Sequence, residues 1–382
     1  MFGRSSLVPP QLTPAIPTLR PIAVTEPPRL RPSRNRTRGA KARLTLASFA
    51  AILVAANAAF AVALDARLPL VRFPEYGHRL ASVQRLRAEH PDRPLVLAVG
   101  SSRTQMALNP AATGLPEGPR DPLVFNFGLA GALPVHHPLG YRRLRADGVK
   151  PDAVIVEIFP ALLCVPDAAH TVYAENGAGL TAAELATLAP NTHDPEPVRR
   201  WIQSRAFGPA AHLQSIQHQA VPDLFPDPYW VPLSARFPSG TGFHAFPAKE
   251  IPDADRQRAT DKAVGAYRQM CREMPLHPMA ERAYREVVAA CRADGVPVAL
   301  YLTAEAPLFR ELYTPESRAA LAAFVRVFTS ELGVPVFDLS DGWETGDFWD
   351  GHHMLPGGAE KFSRRLADRH LRPWLATVLP GR

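Results

Sequence analysis

The chain has 382 residues and 46% hydrophobic content, enough for one large domain, or one domain with an insertion, around a sizeable core. Its net charge of +7 is concentrated: residues 1–43 hold nine of the 43 Lys/Arg and one acid, Glu26, leaving 34 basic against 35 acidic residues elsewhere. The basic excess therefore belongs to a tail, and charge gives the folded part no reason to bind nucleic acid or another polyanion.

Residues 1–43 contain eight prolines and almost no apolar periodicity, and they read as a disordered, basic cytoplasmic tail. The following 21 residues, LTLASFAAILVAANAAFAVAL (44–64), carry no charge and are long enough as a helix to span a bilayer core. The basic flank predicts a cytoplasmic N-terminus, one pass through the inner membrane and an exported main domain. A cleaved signal peptide is the alternative, with Ala59 and Ala61 giving an A-x-A-like site. Against it stand the length of the leader and of the apolar run. Residues 65–90 read as a connecting segment with a short helix over 80–88.

From about residue 91 short β-rich runs alternate with amphipathic stretches. Strands are predicted at 95–99, 124–127, 153–158, 296–303 and 334–337, and helices at 132–146, 279–294 and 315–332. The last helix is well signalled: Thr314 suits the cap, Pro315 the first position, and Leu321, Phe324, Val325 and Phe328 share a face. A closing helix follows Pro356 with Phe362 and Leu366 inward. Continuous apolar strands alternating with helices predict an α/β fold with a parallel sheet covered on both sides. Residues 164–278 break the rhythm. Their stretch VPDLFPDPYWVPLSARFPSGTGFHAFP is rich in proline and aromatics, and a structureless loop of that length does not suit a compact domain. They read as an inserted subdomain, mostly helical at its start, that caps a site; plain decoration of the fold is the alternative. The three cysteines, Cys164, Cys271 and Cys291, form no C-x-x-C, and the sequence does not choose a disulfide among them. Cys291 shares a helix face with Tyr284, Val287 and Val288 and is expected in the core.

In open parallel sheets ligands bind beyond the carboxyl ends of the strands. The polar residues at those ends are Ser101 and Ser102, Asn126 to Gly131, Glu157, Glu305, and the stretch FWDGHHML. A serine hydroxyl becomes a competent nucleophile when an imidazole takes its proton and a carboxylate holds that imidazole in the right tautomer. The D-x-x-H spacing of Asp350 and His353 lets both side chains face one site from a single loop. Taken singly each element has a plain reading: G-S-S as a turn, His353 as a satisfied surface histidine with His352 beside it, Gly128 and Gly131 as packing glycines. Their joint order at successive strand ends favours a site.

That order resembles the SGNH (GDSL-type) hydrolase superfamily, in particular its membrane-anchored envelope branch. The family's first block, a strand followed by G-D-S, is matched by Gly100-Ser101-Ser102, with serine at the acidic middle position. Its second block, N-x-x-x-x-G, is matched by NFGLAG from Asn126 to Gly131. Its last block is matched by Asp350 and His353, followed by the helix start LPGGAEKFSRRLA. The resemblance covers 91–163 and 279–382, and it implies a flavodoxin-like three-layer sandwich interrupted by the insertion 164–278. It implies Ser102 as nucleophile, His353 as general base and then acid, Asp350 as its orienter, and the amides of Ser102 and Gly131 as oxyanion donors, with Asn126 supporting the loop. The third block, P-x-x-V-x-V-E-x-x-x-N-D, is matched at Pro151, Val154, Val156 and Glu157, but Ala161 stands at the asparagine. Loss of one such oxyanion donor costs roughly 100- to 1000-fold in rate.

Arg103 is placed to steer an acidic or sugar-phosphate substrate, with a solvated arginine as the alternative. Glu157 and Glu305 are marginal candidates for the site's lining. Adjacent histidines (His136-His137, His352-His353) point apart on a strand or helix. With no H-E-x-x-H, cysteine pair, G-x-G-x-x-G or P-loop, no metal and no cofactor are expected. The expected activity is acyl-ester hydrolysis or O-acyl transfer on an envelope polysaccharide or glycolipid, within a polysaccharide-modifying complex. A non-catalytic glycan-binding component of an assembly or export complex is the alternative.

Overall fold

The structure, a computed structural model, describes residues 35–116, 118–119, 121–165, 177–188, 195–221, 224 and 240–379. Most of the predicted tail (1–34) and much of the Pro-rich stretch of the insertion lie outside the described residues. The chain divides into Met1–Leu53 and Val54–Arg382. A single helix, Asn35–Arg67, runs through the apolar segment. Its stretch Gly39–Arg67, with a mean hydropathy of 2.1 over its most apolar part, is long and apolar enough to cross a membrane. The helix begins upstream of the apolar run, so residues 35–43 are helical rather than part of an irregular tail. Arg36, Arg38, Ala40, Lys41, Ala42 and Arg43 are good helix formers, and a helix nucleated in the apolar run propagates into them at little cost.

Five strands build the sheet of the larger unit: β1 (Leu95–Gly100), β2 (Leu123–Gly128), β3 (Ala153–Ile158), β4 (Val298–Leu302) and β5 (Val336–Asp338). All pair in parallel in the order β2-β1-β3-β4-β5, the flavodoxin-like doubly wound order. The last two strands start later than their apolar runs because each run contains a proline, Pro297 or Pro335. Neither has an N–H to give to the ladder; their carbonyls accept from Val154 and Leu300, and pairing begins one residue on.

β1 to β4 are buried at every position, and alternate residues feed two separate cores, as the strand period requires. Leu95, Leu97 and Val99 join Phe125, Val154, Val156 and Leu300 against the helices Pro74–Glu89, His136–Ala146 and Pro278–Ala293. Val96 and Ala98 join Val124, Ile155, Ala299 and Tyr301 against Ser102–Ala107 and Pro356–Leu366. The result is three layers. Thr314 caps the helix Pro315–Arg326 by accepting from the Ser317 amide at 3.2 Å, with Pro315 in its first turn. Phe362 and Leu366 are fully inward, as is Cys291 beside Tyr284, Val287 and Val288. All three cysteines are free and buried.

Within 164–278 the described residues contribute the helices Ala182–Leu188, Glu196–Ala206, Leu213–Ala220 and Asp253–Glu273. The longest of them, Asp253–Glu273, lies near the end of that stretch. Ala263, Val264, Cys271 and Met274 of that helix pack on Phe159 and Ala161 after β3 and on Phe309 after β4. This helix therefore lies against the segments that follow the carboxyl ends of β3 and β4.

Candidate active site

The strand order reverses between β1 and β3, and this switch point is where a doubly wound sheet opens a crevice. β1 ends at Gly100. Ser101 caps the six-residue helix Ser102–Ala107 by accepting from the Arg103 amide at 3.2 Å. Ser102 is therefore the first helical residue, and its N–H has no intrahelical acceptor. Its Oγ lies 2.7 Å from His353 Nε2. His353 Nδ1 lies 2.7 Å from Asp350 Oδ2, while Asp350 Oδ1 accepts the backbone N–H groups of His352 at 3.1 Å and His353 at 2.8 Å. An ionised carboxylate only accepts, so Nδ1 carries the proton and Nε2 presents its lone pair to the Ser102 hydroxyl. This is the nucleophile–base–orienter geometry of acyl transfer.

The loop that carries the pair is a tight bend. Gly351 adopts φ 87°, a left-handed conformation that costs glycine little. Its carbonyl accepts from the Ala306 amide at 2.9 Å, and the Trp349 amide donates to the His353 carbonyl at 3.0 Å. The same bend overturns the expectation that adjacent histidines diverge. The His352 and His353 rings lie 4.1 Å apart, because the backbone here is neither strand nor helix. Asp350, His352 and His353 place one ligand atom each within 4.8 Å of one another, with His352 Nε2 at 3.5 Å from Asp350 Oδ2. A divalent ion seated there would need a ring nitrogen of His353, and both nitrogens are engaged by Ser102 and Asp350, so the two uses exclude each other. The 2.7 Å contact from His353 to Ser102 favours the relay.

Asn126 acts as a support rather than a substrate contact, and Arg103 sits in neither of the two settings expected of it. The Asn126 amide is fully buried and donates to the carbonyls of Thr104 (2.7 Å), Gln105 (3.2 Å) and Leu108 (2.6 Å), while its oxygen accepts from Gly128 N–H at 3.0 Å. It secures the serine helix and offers no group to a substrate. Arg103 is neither solvated nor aimed outward: it is 4% exposed, with its guanidinium 3.2 Å from the centre of the Phe159 ring. Its Nε and Nη2, Thr303 Oγ1 and His352 Nδ1 have no hydrogen-bond partner among the described residues. All three side chains line one small enclosed cavity. Gly131 sits in the loop after β2, which the Leu129 amide ties to the Gly100 carbonyl at 2.9 Å. Its N–H meets no acceptor among the described residues and is free to serve as a donor.

Two carboxylates, Glu157 and the unexpected Glu75, hold this arrangement together. Glu157, on β3, accepts from Ser101 N–H (2.9 Å), Ser101 Oγ (2.5 Å), Thr104 N–H (3.0 Å) and the Thr104 hydroxyl. Glu75, in the segment read as a connector, accepts from Gln105 Nε2 at 2.7 Å and Ala130 N–H at 3.3 Å. It links the serine helix to the Gly131 loop. Aromatic walls come partly from the insertion: Trp349 stacks on His353, Phe246 stacks on Trp349, and the Tyr267 ring meets His352 edge-on. Glu305 is buried with its carboxylate bonded by the Tyr313 hydroxyl at 2.7 Å. Ala161, at the third-block asparagine position, is fully buried and supplies no side-chain donor.

Burial also makes the fold acid-sensitive. It pushes His136 down to about 3 and His137 and His244 to about 4, and holds His352 well below its ordinary value. The folded state thus refuses protons that the unfolded chain takes up below pH 6.5. Stability is fully present above that value and falls with pH, by about 1.4 kcal/mol per pH unit for each such histidine. Glu305 works oppositely: burial raises it to about 7, so between pH 7 and its ordinary 4.5 it offsets roughly one histidine. Denaturant titrations should show the unfolding midpoint falling from pH 6.5 to 4.5. A midpoint that rises over this range would contradict the neutral, buried state of these rings.

No protein-family model matches the chain, and no curated protein matches it.

Proposed function

We propose that the protein is a membrane-anchored serine acyl-ester hydrolase or O-acyltransferase of SGNH type. Its substrate class is an acylated polysaccharide or glycolipid of the cell envelope. The observation that carries this reading is the continuous contact from Ser102 through His353 to Asp350 at the switch point of the sheet. Ser102 Oγ attacks the ester carbonyl while His353 Nε2 takes its proton, and Asp350 stabilises the imidazolium that forms. The N–H groups of Ser102 and Gly131 stabilise the oxyanion. His353 then protonates the leaving alkoxide, and water or a sugar hydroxyl takes the acyl group from Ser102 in the reverse sequence.

The apolar helix anchors the chain once in the inner membrane, its basic N-terminal side cytoplasmic and the catalytic unit on the far side. The site then faces envelope glycans and whatever partners modify them. A second reading, a glycan-binding component without turnover, is favoured by Ala161. The two separate on one assay: full-length protein incubated with an O-acetylated glycan should release acetate, or move it to an added deacylated acceptor. Neither release nor transfer, with the glycan still bound, would support the binding reading and sink the enzymatic one.

A further inference from the structure

Among the described residues of the larger unit outside the apolar helix, the exposed large apolar side chains other than Leu308 fall between residues 202 and 224. Ile202 is 55% exposed, Phe207 68% and Leu213 49%, across the helices Glu196–Ala206 and Leu213–Ala220 and the turn between them. A water-facing turn has no use for such a run. This turn packs on the apolar helix. Asn57 Oδ1 accepts from Gly208 N–H at 3.1 Å, the Phe60 ring lies 6.3 Å from that of His212, and Arg205 Nη2 pairs with Asp65 Oδ1 at 2.6 Å. Contact is close enough that a Cβ on residue 208 would meet the Phe60 ring at 2.5 Å, so any larger residue would have to displace that ring.

Asn57 lies seven residues inside the end of the uncharged run at Leu64, about 10 Å along the axis at helical rise. Residues that touch Asn57 and Phe60 therefore sit at the depth of the outer acyl chains, if that helix spans a membrane. Interfacial helices bury their apolar face about 5–10 Å into the headgroup and acyl boundary.

We infer that residues 196–221 form a monotopic hairpin whose Phe207 tip enters the outer leaflet beside the anchor, so that a lipid surface is the partner of this apolar face. The inference rests on the reading of Gly39–Arg67 as a membrane span. It extends that reading: the catalytic unit is held against the bilayer by two elements, at the level where a lipid-linked glycan carries its first sugars.

The test uses full-length protein in liposomes. An environment-sensitive fluorophore is attached at Val54→Cys, Phe207→Cys, Leu213→Cys or Ser330→Cys; the three native cysteines are buried. Phospholipids brominated along the acyl chains serve as quencher. The expected result is strong loss of emission at 54, 207 and 213 and none at 330. Quenching at 54 alone would overturn the hairpin while leaving the anchor intact, and would assign the face to a protein partner. No quenching at 54 would overturn the anchor and the hairpin together.

Discussion

Ser102→Ala is expected to lower acyl release by about 10⁴-fold or more, with substrate affinity little changed. The loss is in turnover because the hydroxyl makes its decisive bond in the transition state, whereas the walls formed by Trp349 and Tyr267 are untouched. His353→Ala should match it closely, and the double variant should be no worse, since the two groups act as one unit at 2.7 Å. Retained activity in Ser102→Ala would place the nucleophile elsewhere. An additive double variant would mean that the serine and the imidazole act separately.

Glu157→Ala is expected to have the largest effect on stability of any single change near the site. Its carboxylate satisfies two backbone N–H groups and two hydroxyls at a place that is 1% exposed. Removing it strands those donors in a dry interior, at a cost of about 3–5 kcal/mol. The thermal midpoint should fall by on the order of 10 °C. Glu157→Gln keeps one acceptor oxygen but turns an NH₂ toward N–H donors, so its midpoint should lie between the two. An unchanged midpoint in Glu157→Ala would show that water replaces the carboxylate and that the serine loop does not depend on it.

The sheet was legible because its signal is local. β1 and β4 are unbroken apolar runs, β2 and β3 carry one polar residue each, and the helix after Thr314 announces its own cap. The later starts of β4 and β5 follow from Pro297 and Pro335, which were visible in the sequence. The spacing of Asp350 and His353 and the place of Ser102 after β1 could also be read along the chain, because strand order and the carboxyl-edge rule bring such residues to one crevice.

What escaped the sequence depends on contacts between distant segments. Glu157 was visible at a strand end, but its four partners lie more than 50 residues away. Glu75 lay in a segment read as a connector, and nothing local marks it as the link between the serine helix and the Gly131 loop. Tyr267 and Phe246 reach the histidines from an insertion without a clear period. Arginine is usually solvated, and nothing local announces that stacking on Phe159 and Tyr267 holds Arg103 inside. The convergence of His352 and His353 needed the left-handed turn at Gly351, which residue spacing alone does not specify.

Activation of Ser102 by His353 is probed by reaction of the full-length protein with a fluorophosphonate, followed by peptide mass mapping. One adduct per chain is expected, on Ser102, absent in Ser102→Ala and strongly slowed in His353→Ala. No adduct, or an adduct on another residue that persists in Ser102→Ala, would contradict it.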